Sequence, residues 1–207
     1  MFKTIKEDAS AEIVEKKSKF IANIFYVESQ EEAEEKIKMI SKKYFDARHN
    51  CYAYSIFTKN GIVNKFSDDG EPSGTAGAPM LNILTSKGIT NILVVVTRYF
   101  GGILLGTGGL VRAYTGATQE ALEKTEEIEK DLGIEVKIEV SYPDLEKCKY
   151  YLNQKGIKLI NSEYGENIFL MIEITETKLN ELNENKHNLN FTILNQMVIK
   201  EKYIMIK

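Results

Sequence analysis

The chain has 207 residues, 43% of them hydrophobic, with 27 Lys and Arg against 30 Asp and Glu. That balance excludes a disordered chain, and no apolar run exceeds five residues, against the roughly 20 that a membrane helix needs. The net charge of -3, with 17 basic and 19 acidic residues in 1–133 and 10 and 11 in 134–207, excludes a globally basic nucleic-acid binder; such a role must rest on a local patch.

In chain order, Ala11–Lys17 and Lys19–Val27 read as strands with Ile13, Phe20, Ile24 and Tyr26 on apolar faces. Ser29 followed by Glu32 is a capping box, and Ala33, Ile37, Ile40 and Tyr44 continue one helical face to about Lys43. Asn50–Thr58 and Ile62–Ser67 flank Asn60-Gly61, a hairpin signal because both turn residues tolerate positive φ. A short helix follows Pro79 and stops at Gly88. Asn91–Tyr99, with its continuous apolar run, reads as a buried strand. A long helix starts near Thr107 on Leu110, Tyr114, Ala117 and Ala121. The acidic stretch Glu120–Asp131 extends the helical reading to a stop at Gly133.

A domain boundary is expected there, giving domains 1–133 and 134–207. The first reads as α+β with its helices on one face of an antiparallel sheet. The second reads strand 134–141, helix 143–155, strands 157–164 and 167–175, helix 178–186 and strand 190–203. That βαββαβ order is ferredoxin-like.

Cys51 and Cys148 cannot build a disulfide framework, and Met1 to Asp8 lacks an export signal's apolar stretch, so reduced thiols in the cytoplasm are expected. With His49 and His187 the cysteines make four scattered ligands. No zinc site, catalytic nucleophile, membrane segment or cofactor is expected.

Two glycine-rich stretches each join a strand end to a helix start, where unpaired N–H groups can face an anion. The first is Asp68-Asp69-Gly70-Glu71-Pro72-Ser73-Gly74-Thr75-Ala76-Gly77. The second runs Arg98-Tyr99-Phe100-Gly101-Gly102 and then Gly106-Thr107-Gly108-Gly109-Leu110-Val111-Arg112. Glycines leave the backbone uncovered, and Gly108, Arg112 and Gly116 share one helical stripe. The three arginines, Arg48, Arg98 and Arg112, all lie near these stretches in a chain with 24 lysines, which suits planar, bidentate donors for an anion. The candidate anion or nucleic-acid site is therefore Arg48, Ser73, Gly74, Thr75, Arg98, Gly101, Gly102, Gly106, Thr107, Gly108, Gly109 and Arg112. Asp68, Asp69 and Glu71 are candidate magnesium ligands. The same glycines could instead serve packing, and the arginines could bridge those carboxylates. Cys51 reads as core, and Tyr99-Phe100 could stack on bases or pack.

These two ordered motifs closely resemble the IMPACT/YigZ family, and the likeness extends more weakly past residue 134. The resemblance implies a first domain similar to elongation factor G domain four, a fold shared with a small-subunit ribosomal protein and the GHMP kinases. It implies a ferredoxin-like second domain similar to elongation factor G domain five. The function so implied is a non-catalytic, translation-associated regulator that binds RNA or the ribosome. The alternatives are a phosphate-ligand or nucleotide-binding enzyme of GHMP-kinase-like fold and a protein-interaction module with a protein partner.

Overall fold

The computed structural model describes residues 1–58 and 60–206. Among these residues the fold is mixed α/β, with two sheets and five α-helices. Two compact units divide within one long strand: the first holds Phe2–Glu129, and the second holds the chain from Lys130 on together with Met1.

The first unit carries β1 (Phe2–Ile5), β2 (Ala9–Glu15), β3 (Ser18–Tyr26), α1 (Gln30–Lys43), β4 (His49–Thr58), β5 (Gly61–Ser67), α2 (Gly77–Lys87), β6 (Ile92–Tyr99) and α3 (Thr107–Leu122). Five strands form an antiparallel sheet in the order β2-β3-β6-β4-β5. Strand periodicity splits β6 between two cores. Ile92, Val94 and Val96 join Phe20, Ala22 and Ala53 beneath Met80 and Leu84 of α2 and Leu110, Tyr114 and Ala117 of α3. Leu93 and Val95 join Phe25, Tyr54 and Ile56 beneath Ala33 and Ile40 of α1. The helices thus cover both faces, not one, and burial on both faces is why β6 is continuously apolar.

Local signals place several ends. The Ser29 hydroxyl accepts the Glu32 N–H at 3.1 Å, and Gly88 closes α2 in the left-handed region (φ 67). The acidic stretch after Glu120 departs from the sequence reading. Helix α3 ends at Leu122, and β7 (Glu127–Val140) starts four residues after its C-cap, Glu123. Val136, Ile138 and Val140 are buried at two-residue spacing, and pairing with β10 carries the strand back through Lys130, so long-range pairing wins over acidic helix propensity. Gly133 is a strand residue: a Cβ there would meet Ile204 at 2.5 Å.

In the second unit β7 is followed by α4 (Leu145–Gln154), β8 (Lys158–Tyr164), β9 (Ile168–Thr175), α5 (Glu176–Glu184) and β10 (Asn195–Met205). The element order is βαββαβ, and the strands lie β10-β7-β9-β8, all antiparallel. Its core joins Val136, Ile138, Leu170 and Ile172 of the sheet to Cys148 and Leu152 of α4 and Leu179 and Leu182 of α5. The last strand starts at Asn195 rather than near 190, because Phe191 and Ile193 are drawn into that core by the connection.

Candidate functional site

The Asp68–Gly77 loop is organised from within. The Asp68 carboxylate accepts the N–H groups of Gly74 at 2.8 Å, Ala76 at 3.0 Å and Gly77 at 2.8 Å, which caps α2 from a distance. Asp69 accepts the Asn50 N–H at 2.6 Å, and its carbonyl lies 2.7 Å from His49 Nδ1. The Thr75 hydroxyl donates to the Pro72 carbonyl at 2.6 Å, while Ser73 and Gly74 are exposed. The three expected magnesium ligands therefore serve internal donors, since Glu71 is also committed. Among the described residues no group of three or more His, Cys, Asp or Glu is placed to hold a metal ion.

Glu71 links the two glycine-rich stretches. Its Oε1 accepts Arg98 Nη1 at 2.6 Å and the Tyr114 hydroxyl at 2.8 Å. Side-chain exposure is only 8% for Arg98 and 3% for Glu71, so this is a buried ion pair. The guanidinium lies between the rings of Phe20, at 5.5 Å, and Phe100, at 5.6 Å. Arg98 thus binds the protein to itself, contrary to its expected place at an anion. Its effect on the surface is indirect: it seats Phe100, whose ring is half exposed.

Beneath this pair the Cys51 thiol donates to the Asp68 carbonyl at 2.9 Å and lies 3.4 Å from the Tyr114 oxygen. Burial pushes the Cys51 and Cys148 thiols up to about 12 and pushes the Tyr114 phenol up as well. Neither thiol is a poised nucleophile. A thiol reagent at pH 8 is expected to label neither cysteine in the folded protein and both in guanidinium. Unfolded thiols ionise near 8.5. The stabilisation from the two neutral thiols is accordingly expected to be complete below about pH 8.5 and to fall as pH rises from there to about 12.

The glycines fall into two groups. Gly101 packs against the backbone of Lys17 and Ser18, and Gly109 against Leu105; both serve close approach. Gly74, Gly102 and Gly106 have φ of 74, 84 and 71, and a methyl added at any of them would meet nothing within 4 Å, so their backbone is open. Gly106 caps α3 without a side-chain bond, and Leu110 N–H makes the first intrahelical bond to Gly106 at 3.0 Å. Thr107 and Gly108 are exposed in that first turn, which has no side-chain cap. Arg112 is exposed and reaches back over Gly108, its Nη1 3.7 Å from where a Cβ would stand. Among the described residues Arg98 alone of the arginines is in an ion pair.

Arg48 is exposed beside a second anchored element: the Tyr99 hydroxyl donates to Asp46 at 2.7 Å, which raises the Tyr99 phenol to about 12. Arg48, Arg98, Tyr99 and Phe100 line one open groove with Asp46. Sequence reasoning missed the β2–β3 turn, Lys16-Lys17, which Gly101 brings against the second glycine stretch. Two adjacent lysines in a lysine-rich chain gave no local signal.

Known proteins share both halves of the chain. Residues 16–122 match the Impact N-terminal domain, and residues 138–185 match a domain of unknown function, DUF1949. The first match contains every candidate site residue. The IMPACT family member YvyE of Bacillus subtilis strain 168 is 39% identical over 181 residues, 87% of this chain and 83% of that protein. The IMPACT family member YigZ of Escherichia coli strain K12 is 36% identical over 187 residues, 90% of this chain and 92% of that protein. A crystal structure of a hypothetical protein is similar over 97% of this chain and 98% of its own, at 33% identity and a TM-score of 0.65. No helix among the described residues is long and apolar enough to cross a membrane. With both glycine-rich motifs inside the matched region and the likeness running through both units, the chain belongs to the IMPACT family.

Proposed function

We propose that this protein is a translation-associated regulator of the cytoplasm that binds RNA or the ribosome without catalysis of its own. The observation that carries the reading is the rim of α3: an exposed N-terminus without a side-chain cap at Gly106-Thr107-Gly108 with the unpaired Arg112 guanidinium lying over it. Unpaired N–H groups, bare backbone and a planar cation together suit a phosphate oxygen. Arg48 adds a second exposed guanidinium, and the half-exposed Phe100 ring offers a base a stacking face. Ser73 and Gly74 stay within the proposed surface. Arg98, Gly101, Gly109 and Thr75 support it from below.

In this reading the two units resemble domains four and five of elongation factor G, the second unit being the ferredoxin-like one. It favours a binder over an enzyme because the buried thiols and the internally bonded carboxylates provide no activated group at the rim.

Filter binding of a labelled stem-loop RNA across a salt series tests it. Arg112→Ala is expected to weaken binding similarly for unrelated sequences and to reduce the slope of log K against log salt by about 1. Unchanged affinity and slope in Arg112→Ala and Arg48→Ala would remove the rim from the account.

A further inference from the structure

Strands β2 and β3 are joined by two residues, Lys16 (φ 45) and Lys17 (φ 66), with Glu15 paired to Ser18 on either side. A two-residue turn with both residues left-handed suits the hairpin's twist and favours Asn-Gly, because a Cβ is strained at positive φ. Here two lysines occupy it. Both are exposed, and neither joins an ion pair among the described residues, although Glu15 flanks the turn and Glu12 lies 3.7 Å from the neighbouring Lys19.

The turn is fastened to the segment that leads from β6 into the rim. Gly101 packs on the Lys17 carbonyl and the Ser18 nitrogen, and the Gly101 N–H donates to the Ser18 hydroxyl at 3.1 Å. Farther along, α3 crosses β2 where Gly116 faces Ile13, with 3.6 Å from a Cβ position to Ile13 Cδ1. One end of the β6–α3 segment is therefore pinned at Lys17 and the other at Ile13. The stretch between these two contacts carries Gly106, Gly108 and Arg112, and α3 begins at Thr107, six residues after Gly101.

We infer that the Lys16-Lys17 turn is a second phosphate-contacting arm, which extends the rim so that it holds successive phosphates of one nucleic-acid strand. This rests on the RNA-binding reading above and specifies it. A single carboxylate or free phosphate would need only the α3 terminus and Arg112. Two further cations without counter-ions, on a turn fastened at Gly101 in the segment that leads into that terminus, match an extended polyanion. Lysine suits the arm as a point-charge phosphate contact.

The test compares wild type, Arg112→Ala, Lys16→Arg/Lys17→Arg and Lys16→Asn/Lys17→Gly in binding a labelled stem-loop RNA at several salt concentrations. The Asn-Gly variant is expected to melt at or above the wild-type temperature, because it supplies the residues the turn favours. Its salt slope is expected to fall by about 1.4–1.8, the loss of two phosphate contacts, while the Arg-Arg variant keeps the wild-type slope. An unchanged slope in the Asn-Gly variant, with Arg112→Ala still reduced, would overturn the arm and leave the rim standing. Absence of salt-dependent RNA binding in wild type would overturn both. Loss of binding to phosphatidylserine vesicles in the Asn-Gly variant, with RNA binding intact, would also overturn the arm and assign the lysines to a membrane surface.

Discussion

Replacing Glu71 by alanine should lower the stability of the first unit by about 3–5 kcal/mol, the usual cost of leaving one charge of a buried ion pair alone. Thermal unfolding followed by circular dichroism would show this as a drop in midpoint of roughly 10–20 °C. The size follows from position: Arg98 is 7% exposed and cannot turn to water, and the Tyr114 hydroxyl loses its acceptor in the same step. Glu71→Gln keeps a carbonyl oxygen for both donors and should lose less. Removing all the polar partners at once is the informative control. Arg98→Met, Glu71→Leu and Tyr114→Phe together should recover most of the stability, because a well-packed apolar replacement of a buried pair costs little. That triple variant should still bind RNA more weakly than wild type, since Phe100 loses the guanidinium that seats it. Full recovery of stability with unchanged binding would show that the buried network has no influence on the surface.

Gly101→Ala should cost about 3 kcal/mol or more, whereas Gly102→Ala, one residue on, should cost about 1 kcal/mol. Sequence alone gives no reason for the difference. A methyl at Gly101 falls inside the van der Waals envelope of the Lys17 carbonyl and the Ser18 nitrogen, which are backbone on both sides and have no rotamer to offer. At Gly102 the methyl meets nothing within 4 Å, and only the strain of φ 84 remains. Chemical denaturation of the pair reads this directly. Gly101→Ala should also weaken RNA binding beyond its effect on stability, because it pushes the lysine turn off the rim. Equal losses in the two variants would mean that the β2–β3 turn is not held as described.

Much of the architecture is legible from local patterns. The Ser29 cap, the Gly88 stop, the β4–β5 hairpin and the apolar run of β6 each follow from one short window, and each is present, although Gly61, read as a turn residue, is the first residue of β5 and pairs with Thr58. What escaped the sequence depends on partners far along the chain. Strand β1 is four residues long, tied in by the Lys6 N–H to the Glu126 carbonyl at 2.9 Å and by a bridge from Lys3 to Ile89. The acidic stretch after Glu120 reads as helix until Lys130, Asp131 and Leu132 are seen to pair with Met205, Ile204 and Tyr203, more than 70 residues on. At the site, the residue types were readable and their division of labour was not. Arg98 and Arg112 look alike in sequence; Glu71, 27 residues before Arg98, takes one of them out of the surface. Gly101 and Gly102 are separated in the same way by a hairpin more than 80 residues earlier.

The chain's three arginines make the central claim directly measurable, because each contributes one Nε–H signal to a nitrogen–proton correlation spectrum. Titration with a stem-loop RNA should move the Arg112 signal most and the Arg48 signal with it, while Arg98, held between Phe20 and Phe100, keeps its position at low RNA. Movement of Arg98 alone, or no movement of any of the three at RNA concentrations that saturate filter binding, would contradict an RNA contact through the glycine and arginine rim.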